Sequence, residues 1–559
     1  MNPKEQVQLV PYLQQSFRLG INTAKAPELL NAEEAVDILN FEYDLEDHLS
    51  TRAGVQPFFS TKFPKRITSL HFYANDAGNT WVLITSENQL YANTITGTTP
   101  TNITNTLVLP NNKFWQWVNF AGLAIGVNQA TTGDNPIKVS GAVPTVGALG
   151  GTPPKGKYIV LWNERVWIAS AVDPNTVFAC KLGDPEDWTD TGADGAVALD
   201  VGKNDGDSIT GLYVFQGSLF VFKRKKIYKI SALSGTNPYD IGNLFVEEYS
   251  SSIGCVAAYT IKSILNDVLF LSDSGICSLV SAPLGELKTL YLSQNVKEIQ
   301  KINKVSHEIS AYVCEEAQQY WLMVPDTASP RNIYEIYVFD YRNIQSGLIR
   351  WIRFEGKIAG TVAETIYIAG QRVTLIGSQD FGVYFYRSGL FDFGGKWDLA
   401  TWDISEWDNP VKYVFSDNGF SYEKKLITKA INFELPVIRK EFHRFAFNTT
   451  LLSNDLNLKV RYFFNKIFSK GGEYNFVYAI QNTASTWDVS LWDDGKWDEE
   501  NKIDFLTIRQ FKRNETGRKY QNVSLIFSND LNQGFVLRQL VIYMIPLNHR
   551  QSNDIDRIV

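Results

Sequence analysis

Cysteine, methionine and histidine are scarce in this chain, and each scarcity removes a class of function. Of 559 residues only 4 are Cys, 3 are Met and 5 are His. Cys180, Cys255, Cys277 and Cys314 are dispersed with no CxxC spacing, the usage of buried thiols in a chain folded in a reducing cytoplasm rather than of disulfides or metal ligands. His48, His71, His307, His443 and His549 are far apart and form no HExxH. Basic charge is also lacking. The formal net charge is −7, with no long Lys/Arg run, and a protein that grips nucleic acid by neutralising phosphates is expected to be basic. No stretch approaches the roughly 18 apolar residues that span a bilayer, and Met1-Asn2-Pro3-Lys4-Glu5 opens no apolar signal region. The expectation is a soluble protein without membrane insertion. No G-x-S-x-G, P-loop or strand-linked G-x-G-x-x-G is present. No catalytic residue, metal site or cofactor is nominated, and the chain is expected not to be an enzyme.

Aromatic residues, by contrast, are abundant: 34 Phe, 26 Tyr and 14 Trp, side chains that suit pleated sheets. From Lys157 to Ile230, short β-branched and aromatic runs alternate with Gly, Asn, Asp or charge. Tyr158 to Trp162 and Arg165 to Ala169 are parted by Asn163-Glu164, and Gly211 to Phe215 is parted from Leu219 to Phe222 by Gln216-Gly217. These read as antiparallel hairpins. The same unit, an apolar strand, a small polar break and an aromatic strand, recurs along the chain. It is found at Trp81 to Ile84 with Leu90-Tyr91, at Phe120 to Val127 with Ile137 to Val139, and at Val166 to Ser170 with Val177-Phe178. It returns at Leu219 to Phe222 with Ile227-Tyr228, at Val268 to Leu271 with Ile276-Cys277, at Tyr320 to Val324 with Ile336 to Phe339, and at Val373 to Ile376 with Val383 to Phe385. A spacing of about 40–55 residues is that of propeller blades. The spacing predicts an all-β protein built on a β-propeller of about seven blades, within a range of six to eight. A closed ring also removes exposed sheet edges.

The flanks differ from the repeat. Residues 1–60 read as an extended N-terminal arm with one helical turn at Ala32 to Asp37, residues 61–390 as the propeller, and residues 391–547 as a C-terminal all-β, sandwich-like domain followed by a polar tail over 548–559. The C-terminal domain carries two tracts, Trp397-Asp398, Trp402-Asp403, Trp407-Asp408 and Trp487-Asp488, Trp492-Asp493, Trp497-Asp498. Their period of five matches neither strand nor helix, which places each tryptophan in a looping segment. Trp397, Trp402, Trp407, Trp487, Trp492 and Trp497 are therefore either mutual packing clusters or anchors for another subunit, tryptophan being favoured at interface hot spots. Ser378-Gln379-Asp380-Phe381-Gly382-Val383-Tyr384 resembles the Asp-box hairpin of sialidases and other propellers, a turn device that is not itself catalytic. The Asp-rich loops at Asp184 to Asp194 and Asp200 to Asp207 lack the Ca²⁺-loop spacing and read as solvated turns. Lys223-Arg224-Lys225-Lys226 reads as a hairpin tip, where charge is cheap, with a phosphate contact as the functional alternative.

Several segments together are similar to one family. Ile21-Asn22, Pro27-Glu28-Leu29, Ala35 and Asn40-Phe41, closing on Arg52-Ala53-Gly54, resemble the opening of phage tail nozzle or head-completion proteins, also called tail tubular protein B or packaged-DNA stabilisation proteins. The likeness continues at Val127-Asn128 and Asp134-Asn135-Pro136. It is greatest in Leu161-Trp162-Asn163-Glu164-Arg165-Val166-Trp167 and Leu182-Gly183-Asp184-Pro185-Glu186-Asp187-Trp188, which lead into Ser208 to Leu212 and Leu219 to Tyr228. The Trp-Asp triplets and Thr516-Gly517-Arg518 are similar to C-terminal parts of some members. The resemblance implies a structural virion protein of a bacteriophage tail, a homohexameric nozzle or hub ring near the head–tail connector, folded in the host cytoplasm. It would meet the portal and adaptor on one side and fibre or spike proteins on the other. DNA would pass through at ejection without specific binding. The competing reading is a β-propeller that binds or cleaves host surface glycan, which requires an acidic and aromatic pocket on the propeller axis.

Overall fold

The computed structural model describes residues 9–546, apart from positions 96, 98, 111–112, 129–134, 190–191, 234, 281–290, 303–308, 326–333, 369–370, 387–414, 454, 480–503 and 512–519. The chain divides into two compact units, one of residues 56–338 with 357–386, the other of residues 1–55, 339–356 and 387–559.

The first unit is a β-propeller. Blade one is Ile67–Ala74, Thr80–Ser86, Gln89–Thr94 and Thr101–Asn102, paired in that order from the axis outward. Blade two is Gln116–Phe120, Leu123–Val127, Ile137–Ser140 and Thr145–Ala148. Blade three is Gly156–Trp162, Arg165–Ser170, Thr176–Ala179 and Val197–Asp200, and blade four is Ile209–Phe215, Ser218–Lys223, Ile227–Ala232 and Leu244–Ser250. Blade five has Lys262–Ile264, Asp267–Ser272 and Gly275–Ser278; blade six begins with Ser310–Cys314, Gln319–Pro325 and Tyr334–Asp340. Blade seven is Gly360–Ile368, Gln371–Ser378 and Val383–Tyr386, and its outer strand is Val55–Pro57, from the start of the chain. The Phe58 amide extends this pairing to the Val383 carbonyl at 2.9 Å. The ring is thus seven-bladed and closed by an N-terminal strand.

The seven repeats legible in the sequence are the second and third strands of each blade. They are the most apolar because they are covered most completely. A second strand has a ladder neighbour on each side and a blade against each face, and Arg165–Ser170, Ser218–Lys223 and Gln319–Pro325 are buried at every position. Outer strands alternate or are exposed, as in Val197–Asp200 and Thr101–Asn102. The core lies between blades. Ile168, Val166 and Ile159 of blade three meet Ile125 and Val127 of blade two, while Trp167 and Val177 meet Leu212 and Val221 of blade four. Closure is equally apolar: Ile67, Val82 and Ile84 of blade one pack on Ile366, Val373 and Leu375 of blade seven, with Phe59 and Phe63 of the closing segment.

The second unit is a β-sandwich. One sheet runs Asp504–Gln510, Lys440–Leu451, Phe535–Pro546, Leu49–Thr51, Phe41–Tyr43, with Val10–Gln14 also paired to Phe535–Pro546. The other includes Arg350–Phe354, Glu34–Leu39, Lys424–Thr428, Val523–Asn529, Asp455–Phe464 and Ile467–Ala479. Phe445 and Phe447 of the first sheet stack against Tyr462, Phe476 and Phe527 of the second, with ring centroids 5.3–6.3 Å apart. That spacing suits edge-to-face and tilted aromatic pairs.

Three expectations are corrected here. Residues 1–60 are not a separate arm: residues 10–51 supply strands to both sheets of the sandwich, and only the last few close the propeller. The sandwich therefore does not begin at residue 391; it is assembled from three separated parts of the chain, including 339–356, which lies inside the expected propeller range. Ala32 to Asp37 is not a helical turn, because Glu34–Leu39 is a strand paired to Lys424–Thr428 and Gly20–Ile21. Six residues cannot offset the cost of helix nucleation when both backbone edges have ladder partners. The polar tail 548–559 lies outside the described residues.

Candidate functional site

The six tryptophans Trp397, Trp402, Trp407, Trp487, Trp492 and Trp497 lie outside the described residues, as does Thr516-Gly517-Arg518. The remaining sequence-marked features fall mostly in the propeller, and the structure joins two that the sequence leaves apart.

The Asp200–Asp207 loop and the basic turn beginning at Lys223 are one site. Lys223 ends the second strand of blade four and is fully buried, not exposed at a hairpin tip. Its Nζ donates to Asp205 Oδ1 and Oδ2 (2.8 and 2.9 Å), to Asn175 Oδ1 (2.7 Å) and to the Gly202 carbonyl (2.9 Å). Asp205 also accepts from the Tyr228 hydroxyl at 3.0 Å. The loop that could have gathered a metal ion holds the chain's own ammonium group. Burial disfavours the Asp205 carboxylate, but the hydrogen bonds from Lys223, the Asp207 amide and Tyr228 outweigh it and set its pKa below the ordinary value. Two other cations of the turn are ion-paired, Arg224 to Asp273 at 3.0 Å and Lys226 to Glu248 at 3.2 Å.

The Asp184–Asp194 loop has a parallel construction. Buried Arg165, first residue of its strand, donates to the carbonyls of Cys180 (2.8 Å), Gly195 (2.6 Å), Ala193 (3.3 Å) and Tyr239 (3.1 Å). The loop is wound around a guanidinium group, and Asp187 turns outward to Lys181. Both loops are thus organised by cations from blade strands. The sequence signal was a single cation at the end of an apolar run, Arg165 before Val166 and Lys223 after Phe222.

The four cysteines are buried free thiols, and burial raises Cys180 to about 11 and Cys255 to about 12. Ser378 to Tyr384 is the turn between the second and third strands of blade seven. Phe381 adopts φ 69°, the Ser378 amide donates to the Gly382 carbonyl, and Asp380 accepts from the Gly382 amide, Tyr384 and Lys62. The expected turn role is the one its bonds perform. Among the described residues no group of three His, Cys, Asp or Glu side chains could hold a metal ion.

The axial end where inner strands begin is the strongest candidate for function. Phe114 just precedes the inner strand of blade two and Tyr259 that of blade five, on opposite sides of the ring. The Tyr259 hydroxyl donates to the Phe114 carbonyl at 3.0 Å and their ring centroids are 5.2 Å apart. This contact bridges the axis. Around it are cations: the Arg66 guanidinium stands 5.9 Å from the Phe114 ring centroid, Lys113 is adjacent in sequence, and Lys157 and Lys262 open the inner strands of blades three and five. Burial and the charge of Lys113 both lower the Lys157 pKa. Farther along the inner strand of blade seven, burial raises Glu364, opposed by Lys262. Along blade one, His71 donates from Nε2 to Asn119 Oδ1 at 2.8 Å, and burial lowers its pKa to about 4 despite that bond. The axial end is therefore basic and aromatic, whereas glycosidic cleavage calls for paired carboxylates or a tyrosine nucleophile with its base.

No family model matches the chain, and no curated protein matches it. Solved structures do share similarity with part of the chain. The YCF48 protein from Cyanidioschyzon merolae is 10% identical with a TM-score of 0.37, covering 60% of this chain and 99% of that one. A chain of the mitotic checkpoint complex is 9% identical with a TM-score of 0.34, covering 60% and 96%. The WD40 domain of SCAP from fission yeast is 12% identical with a TM-score of 0.28, covering 63% and 95%. At these values the likeness carries no argument about function, and the propeller assignment stands on the seven blades themselves.

Proposed function

We propose that this chain is a structural virion protein of a bacteriophage tail, a subunit of a nozzle or hub ring through which the genome is retained and ejected. The observation that carries the reading is the resemblance of Leu161 to Trp167 and Leu182 to Trp188 to the nozzle family, placed on what those residues do. They form the first hairpin of blade three and the loop wound on Arg165, rigid structural pieces rather than a reactive site. The bridged propeller axis fits the same role, because a conduit would then be the space enclosed by several copies rather than a hole through one. The acidic net charge of −7 is compatible with DNA that passes without gripping the wall. Cyclic assembly needs heterologous contacts that close, and the Trp-Asp tracts are the segments we assign to them.

Light scattering and negative-stain electron microscopy of the purified protein, with mass spectrometry of phage particles, test this. A closed ring of six copies and presence in the virion are expected. A persistent monomer that turns over a saccharide and is absent from particles would overturn the proposal. Trp402→Ala with Trp492→Ala should abolish the ring and leave the monomer folded; an intact ring built from a destabilised chain would remove the tracts from the interface.

A further inference from the structure

The bridged end of the propeller axis gathers positive charge, and two of its lysines, Lys113 and Lys157, face each other rather than a carboxylate among the described residues. Arg66, Lys113, Lys157 and Lys262 come from the starts of blades one, two, three and five, so the ring topology gathers them at one end. Lys262 is opposed by Glu364. The starts of the inner strands of blades two and three are tied together, the Ile159 amide donating to Gln116 Oε1 at 3.2 Å, and Lys113 and Lys157 beside that bond are half-buried, act on each other, and have no carboxylate partner among the described residues. Two ammonium groups held together in a partly dehydrated place repel each other and lose solvation. An anion seated between them relieves both costs. Half-buried Tyr259, packed on the buried Phe114 ring, supplies aromatic surface beside those charges.

The chain carries segments of the matching chemistry. Between Trp397 and Asp408 the charges are Asp398, Asp403, Glu406 and Asp408, with no base. Between Trp487 and Glu500 they are Asp488, Asp493, Asp494, Asp498, Glu499 and Glu500 against Lys496. Each tract joins carboxylates to indole rings at a period of five, so neighbouring Trp-Asp pairs offer both features at once. DNA phosphate is the other anion to weigh. A handful of cations around an aromatic bridge, on a chain of net charge −7, is a poor phosphate track.

We propose that the basic axial mouth of the propeller is the receiving site for a Trp-Asp tract of a second copy of this chain, with aspartates on Lys113 and Lys157 and an indole against Tyr259. This rests on the reading that copies assemble, and it names the surface on which they do so. The contact is heterologous, tract to mouth, as ring closure demands.

The test uses full-length protein and a fluorescein-labelled peptide of residues 484–500. Lys113→Glu with Lys157→Glu should weaken peptide binding at least about tenfold and lower the solution mass by light scattering, with an unchanged melting curve. Lys113→Arg with Lys157→Arg should restore both. A peptide with Asp488→Asn, Asp493→Asn and Asp498→Asn should bind the wild-type protein as weakly as the charge-reversed variant binds the original. Equal peptide affinity for wild-type and charge-reversed protein would overturn the assignment. So would a DNA oligonucleotide that binds this mouth when the peptide does not. If the charge-reversed protein unfolds, Lys113→Gln with Lys157→Gln gives the same comparison. Rings in virions with no peptide binding would sink the mouth and spare the phage assignment; peptide binding by a protein absent from virions would do the reverse.

Discussion

Replacing Lys223 by methionine should be among the most costly single changes in the propeller. Methionine preserves the apolar stem and removes the ammonium group from a place with no access to water. Asp205, whose side chain is only 10% exposed, keeps the Tyr228 hydroxyl and the Asp207 amide but loses its cation. Asn175 Oδ1 and the Gly202 carbonyl lose a donor as well. Removing one partner of a buried ion pair costs about 3–5 kcal/mol, and each stranded acceptor is worth about 1–3 kcal/mol where it stays dry. The terms overlap, so the expected loss is about 3–5 kcal/mol, read as a shift of the propeller transition in urea followed by tryptophan fluorescence. Adding Asp205→Asn should recover about 2 kcal/mol, because the uncompensated charge is then gone. The acid limb should move too. The depressed Asp205 pKa contributes stability that is present above the unfolded carboxylate value, about 3.9, and is lost as pH falls through the folded value. Without Lys223 that loss should begin at higher pH. A cost below about 1 kcal/mol, or a double variant no more stable than the single one, would refute the argument that Lys223 takes the place of a metal ion in this loop.

Three other outcomes are expected. Burial, helped by the charge of Arg52, lowers the Lys424 pKa in the sandwich to about 7. The unfolded chain then binds more protons between about pH 7 and the ordinary lysine value, about 10.4, so sandwich stability should rise with pH across that window and level off below it. Lys424→Met should flatten the slope in urea titrations at several pH values, and an unchanged slope would contradict the assignment. Gly254→Ala should destabilise blade four by more than 2 kcal/mol in order of magnitude, since a Cβ there would sit 2.1 Å from the Lys223 carbonyl oxygen and 2.7 Å from the Arg224 backbone; thermal melting within error of wild type would show that the backbone shifts freely. Removing residues 1–58 should open blade seven along Val383–Tyr386 and also strip Val10–Gln14, Glu34–Leu39, Phe41–Tyr43 and Leu49–Thr51 from the sandwich sheets, exposing unpaired edges in both units and yielding concentration-dependent aggregates by light scattering. A stable monomer of that truncated chain would mean that the N-terminal strand is dispensable for closure.

The blades were legible because their second and third strands are covered on every side. Coverage forces runs such as Trp167-Ile168-Ala169 and Leu219-Phe220-Val221-Phe222, and such runs recur wherever a blade recurs. Outer strands were harder to see. Val197–Asp200 alternates between half-buried and exposed and Thr101–Asn102 is exposed, so their composition is that of loops.

Composition and periodicity by themselves determined an all-β chain, a ring of about seven repeats and a set of buried thiols, because each follows from local burial. The partners of distant segments were decided only in three dimensions. Val55–Pro57 has no local mark that sends it to Val383–Tyr386, and Glu34–Leu39 becomes a strand because Lys424–Thr428 lies alongside it. Charge obeys the same division: Lys223 looks like a solvated turn until the fold brings the Asp205 carboxylate around it, and Lys113 and Lys157 become neighbours only when blade two packs on blade three. A sequence records what each residue prefers to be covered by, whereas long-range pairing depends on loop closure and on the competing surfaces available, which only the assembled chain presents.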